Sequence, residues 1–264
     1  MKKAASFALG CKVNQYESEA IAELFAEKGY EIVGIDEEAD VYVINTCTVT
    51  NFGDKKSRQL IRKVKRQNEN AIVAVVGCYA QTAPKELMEI AGVNLVIGTK
   101  DRAQIVEMVE QYDRANGVEN HVSDIMKERV FEPLSIQKLA NRTRAYLKIQ
   151  DGCSQYCSYC IIPYARGPIR SREPQEVVAE VKRLAENGFK EVVLTGIHVA
   201  SYGKDRRDTS LLDILKQVHE VEGIERIRFS SIEPNVVTEE FAQTMAALPK
   251  VCDHFHLSLQ SGCD

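Results

Sequence analysis

The sequence predicts an α/β protein built in two successive parts. Two observations carry this: short apolar runs of strand length alternate with polar segments of helical period in both halves, and the alternation lapses once, mid-chain. The 264 residues, 44% of them hydrophobic, suffice for about two domains with cores of their own.

In the first half, strands are expected over 4–9, 41–45, 72–76 and 95–97, and helices over 15–28, 54–68, 84–90 and 102–115. Pro84 near a helix start and Gly29 just past a helix end match the asymmetry of helix termini. Such alternation is the signature of a parallel sheet covered by helices. From 116 to 142 the periodicity weakens and polar residues dominate, with Asn116-Gly117 as a turn signal and Glu132-Pro133 as a break. Read as a linker, this stretch separates an N-terminal domain, 1–115, from a second, 143–264. There the series resumes: strand 145–149, helix 175–187, strand 191–194, helix 211–221, strand 226–230, helix 239–248 and strand 254–259.

The opening MKKAASFALGCKVNQ has two lysines and a strand-length apolar run but no small-residue cleavage site, so no signal peptide is expected. No apolar stretch approaches the roughly 20 residues that span a bilayer. The expected location is the cytoplasm, with no membrane partner. Eight cysteines in such a chain are not a disulfide framework, because the compartment keeps thiols reduced; metal or redox work is the better reading. The net charge of −4 gives no overall footprint for nucleic acid, so any RNA contact must come from local basic patches.

The string CSQYCSYC places Cys153, Cys157 and Cys160 at C-x3-C-x2-C directly after the first strand of the second part. Thiolates are soft ligands suited to iron-sulfur clusters, and this close spacing lets one loop wrap one cluster. Three local ligands would leave one iron open for a substrate. The competing readings are a structural zinc site or reactive thiols, but zinc usually takes four ligands in paired C-x2-C form and no nearby histidine completes the set. Three further cysteines, Cys11, Cys47 and Cys78, each follow an apolar strand, in SFALGCKVN, VYVINTCTV and VAVVGCYAQ. Ligands in open α/β sheets bind beyond the carboxyl ends of strands, so these three should converge on one edge. Independent buried cysteines are the plainer alternative. Cys252 and Cys263 have no comparable partners and stay unassigned.

The C-x3-C-x2-C string, with Tyr159 before its last cysteine, resembles the radical S-adenosylmethionine superfamily. Nearly the whole chain is similar to the methylthiotransferases within it, on LGCKVNQYESE, NTCTVT, VVGCYAQ, GCSQYCSYCIIPYARGPIRSR, LTGIHVASYG and HLSLQSG, in that order. Lys12-Val13 after Cys11, with CTVTNFGDKKSRQLIRK and TGIHVASYG, resembles the bacterial branch acting on N6-threonylcarbamoyladenosine in tRNA. The branches for isopentenyladenosine and for a ribosomal protein tend to carry other residues after that cysteine.

The resemblance implies an open parallel-sheet domain followed by a partial (βα) barrel, and two [4Fe-4S] clusters. One, on Cys153, Cys157 and Cys160, would chelate S-adenosylmethionine at its open iron and yield a 5′-deoxyadenosyl radical. The other, on Cys11, Cys47 and Cys78, would carry the sulfur that is methylated and transferred to C2 of the adenine. Tyr159, Thr195, Gly196, Ser231, Glu233 and Gln260 stand where family members contact the cofactor. Ser231, Glu233 and Gln260 are each as readily loop-stabilising residues, and His198 is more readily a structural hydrogen-bonder than a catalyst. An electron donor is implied without being identified.

For tRNA, two basic groups are candidates. Lys55, Lys56, Arg58, Arg62, Lys63, Lys65 and Arg66 crowd one helix, and Arg166, Arg170 and Arg172 follow the cluster loop. Phosphate contact releases counterions and favours cations at such sites, and Arg170 and Arg172 are the first choice because they lie nearer the chemistry. Family members normally continue past HLSLQSGCD into more barrel strands and a small RNA-binding domain. The chain is therefore expected to be truncated at its C-terminal end, with barrel closure and tRNA affinity weakened. Two rival classes are a non-catalytic iron-sulfur or zinc module that holds RNA, and a radical enzyme whose N-terminal domain binds cobalamin or a nucleotide. The latter lacks a cobalamin motif, and three post-strand cysteines argue against both ligands.

Overall fold

The computed structural model describes residues 1–48, 51–136 and 144–262, the side chains of residues 51–54 aside. Two compact units are present. The first comprises Met1–Glu128, Glu132–Ile136 and Gln155–Pro168, and the second, among the described residues, Arg129–Phe131, 144–154 and 169–262.

The first unit runs β1 (Lys3–Ala8), α1 (Lys12–Glu27), β2 (Glu31–Ile32), β3 (Val41–Thr46), α2 (Asn51–Gln67), β4 (Ile72–Gly77), α3 (Cys78–Thr82), α4 (Pro84–Met88), β5 (Leu95–Ile97), α5 (Ile105–Gln111), β6 (Glu119–Asn120) and α6 (Ile162–Arg166). Its sheet has the order β2-β1-β3-β4-β5-β6 with every pair parallel. β3 (VYVINT) and β4 (IVAVVG) are nearly continuous apolar runs because both faces of the sheet are covered. Alternation then sorts their side chains. Tyr42, Ile44, Val73 and Val75 pack with Ile61 and Val64 of α2 on one face. Val41, Val43, Ala74 and Val76 pack with Ile21 and Phe25 of α1 and Ile105 and Val109 of α5 on the other.

Three details differ from the sequence reading. The helix expected over 102–115 is a 3-10 turn, Arg102–Gln104, followed by α5, which stops at Gln111. Past the expected boundary at 115, β6 still belongs to the first sheet, because His121 N donates to Val96 O (2.8 Å) and Glu119 N to Asn94 O (2.9 Å) along the open edge of β5. Two residues are too few to show a strand period. The segment 155–168, expected with the second domain, packs into the first unit.

The second unit contains β7 (Arg144–Asp151), β8 (Arg170–Ser171), α7 (Pro174–Glu186), β9 (Glu191–Gly196), α8 (Leu211–His219), β10 (Arg226–Phe229) and α9 (Glu239–Ala246). Its sheet has the order β10-β9-β7-β8, with β10, β9 and β7 parallel and β8 antiparallel at the edge. This is the beginning of a (βα) barrel. The strand expected over 254–259 forms one isolated parallel bridge, Ile232–Leu257, and a second, Ile227–Val251, falls just before it. Cys252 N donates to Ile227 O and Ser258 N to Ile232 O, but no continuous ladder links these points, and Leu257 and Leu259 remain exposed. Among the described residues no helix is long and apolar enough to cross a membrane.

Glu191, which pairs with Arg226 across β9 and β10, accepts hydrogen bonds from Arg226 Nε (2.9 Å) and Arg228 Nε (3.0 Å). Burial pushes its carboxyl up, and the two arginines outweigh this and hold it below the usual carboxylate range. A depressed folded pKa means that the stabilisation is fully present above the unfolded value of about 4.3 and is lost as pH falls through the folded value. Glu191→Gln should therefore cost about 1 kcal/mol at neutral pH, the arginines being partly solvated. Its urea midpoint should converge on the parent's as the pH is taken below about 4. A gap that persists unchanged at low pH would contradict this origin.

Candidate functional site

In the first unit the strand order reverses between β1 and β3, which is where open α/β sheets bind ligands beyond their carboxyl ends. Cys11 follows β1, Cys47 follows β3 and Cys78 opens α3 after β4. Cys47 and Cys78 are buried, while Cys11 reaches the surface. Their backbones are packed too closely for ordinary residues before them. A Cβ added to Gly10, which has φ +95°, would lie 2.7 Å from both Cβ and Sγ of Cys47. Gly77 has φ 94° and ψ −159°, a region open essentially to glycine alone, and an added Cβ would lie 2.7 Å from Thr46 O. These glycines let the Cys11 and Cys78 turns close onto the end of β3.

A buried polar network fills the same edge. Asn14 Nδ2 donates to Leu9 O (2.8 Å) and Thr46 O (2.9 Å), tying β1 to β3. Arg166, from α6 and fully buried, donates from Nη2 to Asn14 Oδ1 (2.5 Å), from Nη1 to Glu17 Oε1 (2.5 Å) and from Nε to Cys78 Sγ (3.1 Å). Glu17 also pairs with the buried Arg102 (2.6 Å), which in turn holds Glu132 through Nε (2.9 Å). Two guanidinium groups and two carboxylates thus neutralise one another in the interior. Burial pushes the Cys78 thiol up, while the nearby Arg166 charge acts in the opposite direction. The sulfur of Cys11 lies 3.7 Å from Asn14 Oδ1, so Asn14 and Arg166 link two of the three cysteines.

The donor set fits an iron-sulfur cluster: three thiols at one sheet edge, a glycine-lined approach and a cation on one of the thiol sulfurs. Among the described residues, no three His, Cys, Asp or Glu side chains stand close enough to share a single metal ion.

The end of β7 is braced just as firmly. Asp151 is buried between Lys148 Nζ (2.6 Å) and Arg170 Nη2 (3.5 Å), and Lys148 lies over the Phe131 ring (5.2 Å). Gln150 donates to Asp151 O (2.7 Å) and Gly152 O (2.6 Å) and accepts from His198 N (2.8 Å), joining the ends of β7 and β9. Cys153 emerges directly from this braced end and is half-buried. Cys157 is exposed, Cys160 is half-buried, and Cys160 N donates to Cys157 O (2.9 Å). Tyr159 is 75% exposed.

Thr195 is fully buried and donates to Leu147 O (3.2 Å), so its hydroxyl serves the sheet and only its backbone is left for a ligand. Gly196 is needed for space, since an added Cβ would lie 2.6 Å from Gln150 Oε1. Glu233 engages His198 Nε2 (2.6 Å), which makes His198 the positioning partner of that carboxylate. Ser231 meets His256 Nδ1 (3.1 Å), and Gln260 is exposed in the left-handed region at φ 60°. Cys252 is half-buried and Cys263 lies outside the described residues.

The tRNA reading of Arg170 and Arg172 requires correction. Both are nearly inaccessible: Arg170 pairs with Asp151, and Arg172 pairs with Glu180 (2.6 Å) and lies over Phe131 (6.0 Å). They brace the second unit and present no charge to a phosphate. On α2, Lys55, Lys56, Arg62 and Arg66 are exposed. Lys63 is paired with Asp36, Arg58 with Tyr79, and Lys65 binds the carbonyls of Glu69 and Ala71.

The sequence reading missed Glu17, Arg102 and the true setting of Arg166. One signal was available: Val13, Asn14, Tyr16, Glu17, Ser18, Ala20 and Ile21 all face inward on α1, so its buried face carries polar residues in the two turns nearest Cys11. Polar groups on a buried helix face need partners.

The chain matches the uncharacterised protein family UPF0004 over residues 3–98 and the radical SAM superfamily over residues 147–264. It is 50% identical over 263 residues to the threonylcarbamoyladenosine tRNA methylthiotransferase MtaB of Bacillus subtilis, covering 99% of this chain and 58% of that protein. The Aquifex aeolicus protein of the same name is 42% identical, with 98% of this chain and 63% of the relative covered. A tRNA-2-methylthio-N(6)-dimethylallyladenosine synthase of Dictyoglomus thermophilum is 35% identical, with 97% and 58% covered. The chain therefore spans about 60% of the length of these relatives. A solved structure of the radical S-adenosylmethionine methyltransferase TsrM from Kitasatospora setae shares the fold at TM-score 0.61 and 17% identity, covering 94% of this chain and 58% of that one. With both regions present in this order, and with the identity running along the whole sequence, the chain belongs to the radical S-adenosylmethionine methylthiotransferase family.

Proposed function

We propose that this chain is the catalytic part of a tRNA methylthiotransferase that converts N6-threonylcarbamoyladenosine next to the anticodon to its 2-methylthio derivative. The observation that carries the reading is the gathering of Cys11, Cys47 and Cys78 at the switch point of the first sheet, in a chain that also carries the C-x3-C-x2-C loop. Cys153, Cys157 and Cys160 would hold one [4Fe-4S] cluster and Cys11, Cys47 and Cys78 the other. When bound, the first supplies the electron that cleaves S-adenosylmethionine and the second the sulfur that is transferred.

The remaining work falls to the protein. Gln150 and Asp151 fix the direction in which the cluster loop leaves β7, since their side chains tie the end of the strand to β9 and to Arg170. The backbone at Thr195 and Gly196 would receive the amino group of S-adenosylmethionine, at the carboxyl ends of barrel strands where chemistry is placed in this architecture. The Glu233 carboxylate, oriented by His198, would accept from the ribose hydroxyls, and Tyr159, Ser231 and Gln260 would line the same cofactor. The exposed cations of α2, rather than Arg170 and Arg172, would contact tRNA phosphates. A reductant protein must deliver the electron. Soluble, cytoplasmic work on tRNA is part of the same reading.

The test is iron and sulfide counting after anaerobic reconstitution of the full-length protein, with nucleoside mass spectrometry of tRNA from cells lacking its gene. About eight irons per chain are expected, falling to about four when either cysteine triplet is changed to alanine. Loss of the Cys153, Cys157 and Cys160 triplet should also abolish 5′-deoxyadenosine release. Zinc in place of iron would sink the enzyme reading. Loss of the methylthio group from isopentenyladenosine, with the threonylcarbamoyl base unchanged, would assign the other branch.

A further inference from the structure

Arg166 distributes its three nitrogens in a way that a structural ion pair does not need. Glu17 already has a cation in Arg102 (2.6 Å), yet Arg166 donates to it from both Nη1 (2.5 Å) and Nη2 (3.0 Å) and still places Nε on the sulfur of Cys78 at 3.1 Å. Asn14 Oδ1 at 2.5 Å from Nη2 fixes the plane of the fork, and Asn14 is itself held by two backbone carbonyls. The guanidinium is fully buried, so its charge is not screened by water. It sits on the segment Gln155–Pro168, which carries Cys157 and Cys160 and packs with the first unit. Thr99 Oγ1 donates to Ala165 O (2.7 Å), anchoring the backbone next to it.

We infer that Arg166 is a positioning and tuning residue for the auxiliary cluster, donating a charge-assisted hydrogen bond to the ligand sulfur of Cys78 and raising the reduction potential of that cluster. This rests on the assignment of Cys11, Cys47 and Cys78 as its ligands. The physical reason is that reduction adds negative charge to an already anionic cluster. Hydrogen bonds to its sulfurs and nearby cations favour the reduced form. Only a fork can serve Glu17, Asn14 and Cys78 at once, so lysine should restore part of the charge effect and none of the three-way geometry.

The experiment uses the full-length protein in a Cys153→Ala, Cys157→Ala, Cys160→Ala background, which leaves the auxiliary cluster alone. Iron counting comes first: failure to bind about four irons there would overturn the cluster assignment itself. With the cluster present and reduced, pulsed electron paramagnetic resonance on protein labelled with 15N-arginine should show one arginine nitrogen coupled to it. Absence of that coupling would overturn the role of Arg166 and needs no variant. Potentiometric titration should then show a shift to more negative potential in Arg166→Leu and a smaller one in Arg166→Lys. An unmoved potential in either iron-loaded variant refutes the tuning role. Should Arg166→Leu fail to fold, Arg166→Lys and the labelled parent carry the test.

Discussion

Replacing Glu17 by leucine is expected to lower the urea midpoint of the first unit by about 2 M. Glu17 is fully buried between Arg102 and Arg166. Removing it leaves Arg166 with only Asn14 and Cys78 as partners and Arg102 with only Glu132 among those identified. Breaking a buried ion pair by deleting one partner costs about 3–5 kcal/mol, because the remaining charge stays desolvated. With a urea dependence of about 2 kcal/mol per molar, this gives the shift stated, and it consumes a large share of a typical 5–15 kcal/mol stability. Glu17→Gln keeps an acceptor for Arg166 and should fall between. A parent-like midpoint for Glu17→Leu would mean that the network carries little net energy.

The second large effect is expected at Gly77. Alanine there would place a methyl group 2.7 Å from Thr46 O and 3.0 Å from Thr46 N, both backbone atoms of β3, and 2.3 Å from Asn45 Oδ1. The side chain could shift, but β3 is hydrogen-bonded on both sides and cannot. The conformation at φ 94° and ψ −159° adds about 1–3 kcal/mol of strain for any residue with a Cβ. Relief requires the start of α3, and Cys78 with it, to move away from Cys47. Iron in the reconstituted full-length protein should drop from about eight to about four per chain while the other cluster is retained. Full iron loading of Gly77→Ala would show that the approach of α3 to β3 is not what assembles the site. Gly29→Ala, with nothing within 4 Å of the added Cβ, is the control for a positive-φ glycine remote from the cysteines.

Most of the architecture was legible in the sequence, and so was the placing of Cys11, Cys47 and Cys78 after parallel strands of one sheet. The runs at β3, β4 and β9 are long, apolar and bounded by turns, so burial on both faces leaves a signal that local context does not blur. Cysteines placed directly after strands announce a shared edge because parallel strands all end on the same side. What stayed hidden has a common cause. β6 and β8 are two residues each and exist only because a neighbouring edge offers hydrogen bonds. The stretch 254–259 has a strand's composition yet meets its neighbour only around the Ile232–Leu257 bridge.

The charged residues divide the same way. Sequence can count arginines near a cluster loop, but whether an arginine meets a phosphate or a carboxylate depends on what folds against it. Arg170 and Arg172 are neutralised by Asp151 and Glu180, the latter eight positions further along and brought back by the first turns of α7. Arg166 lies 149 residues from Glu17 and 88 from Cys78. The amino-acid order determines where the thiols stand along the chain and which strand each one follows. The tertiary structure decides which cation reaches which sulfur, because desolvation makes a buried charge seek its partner in space, at distances the sequence does not contain.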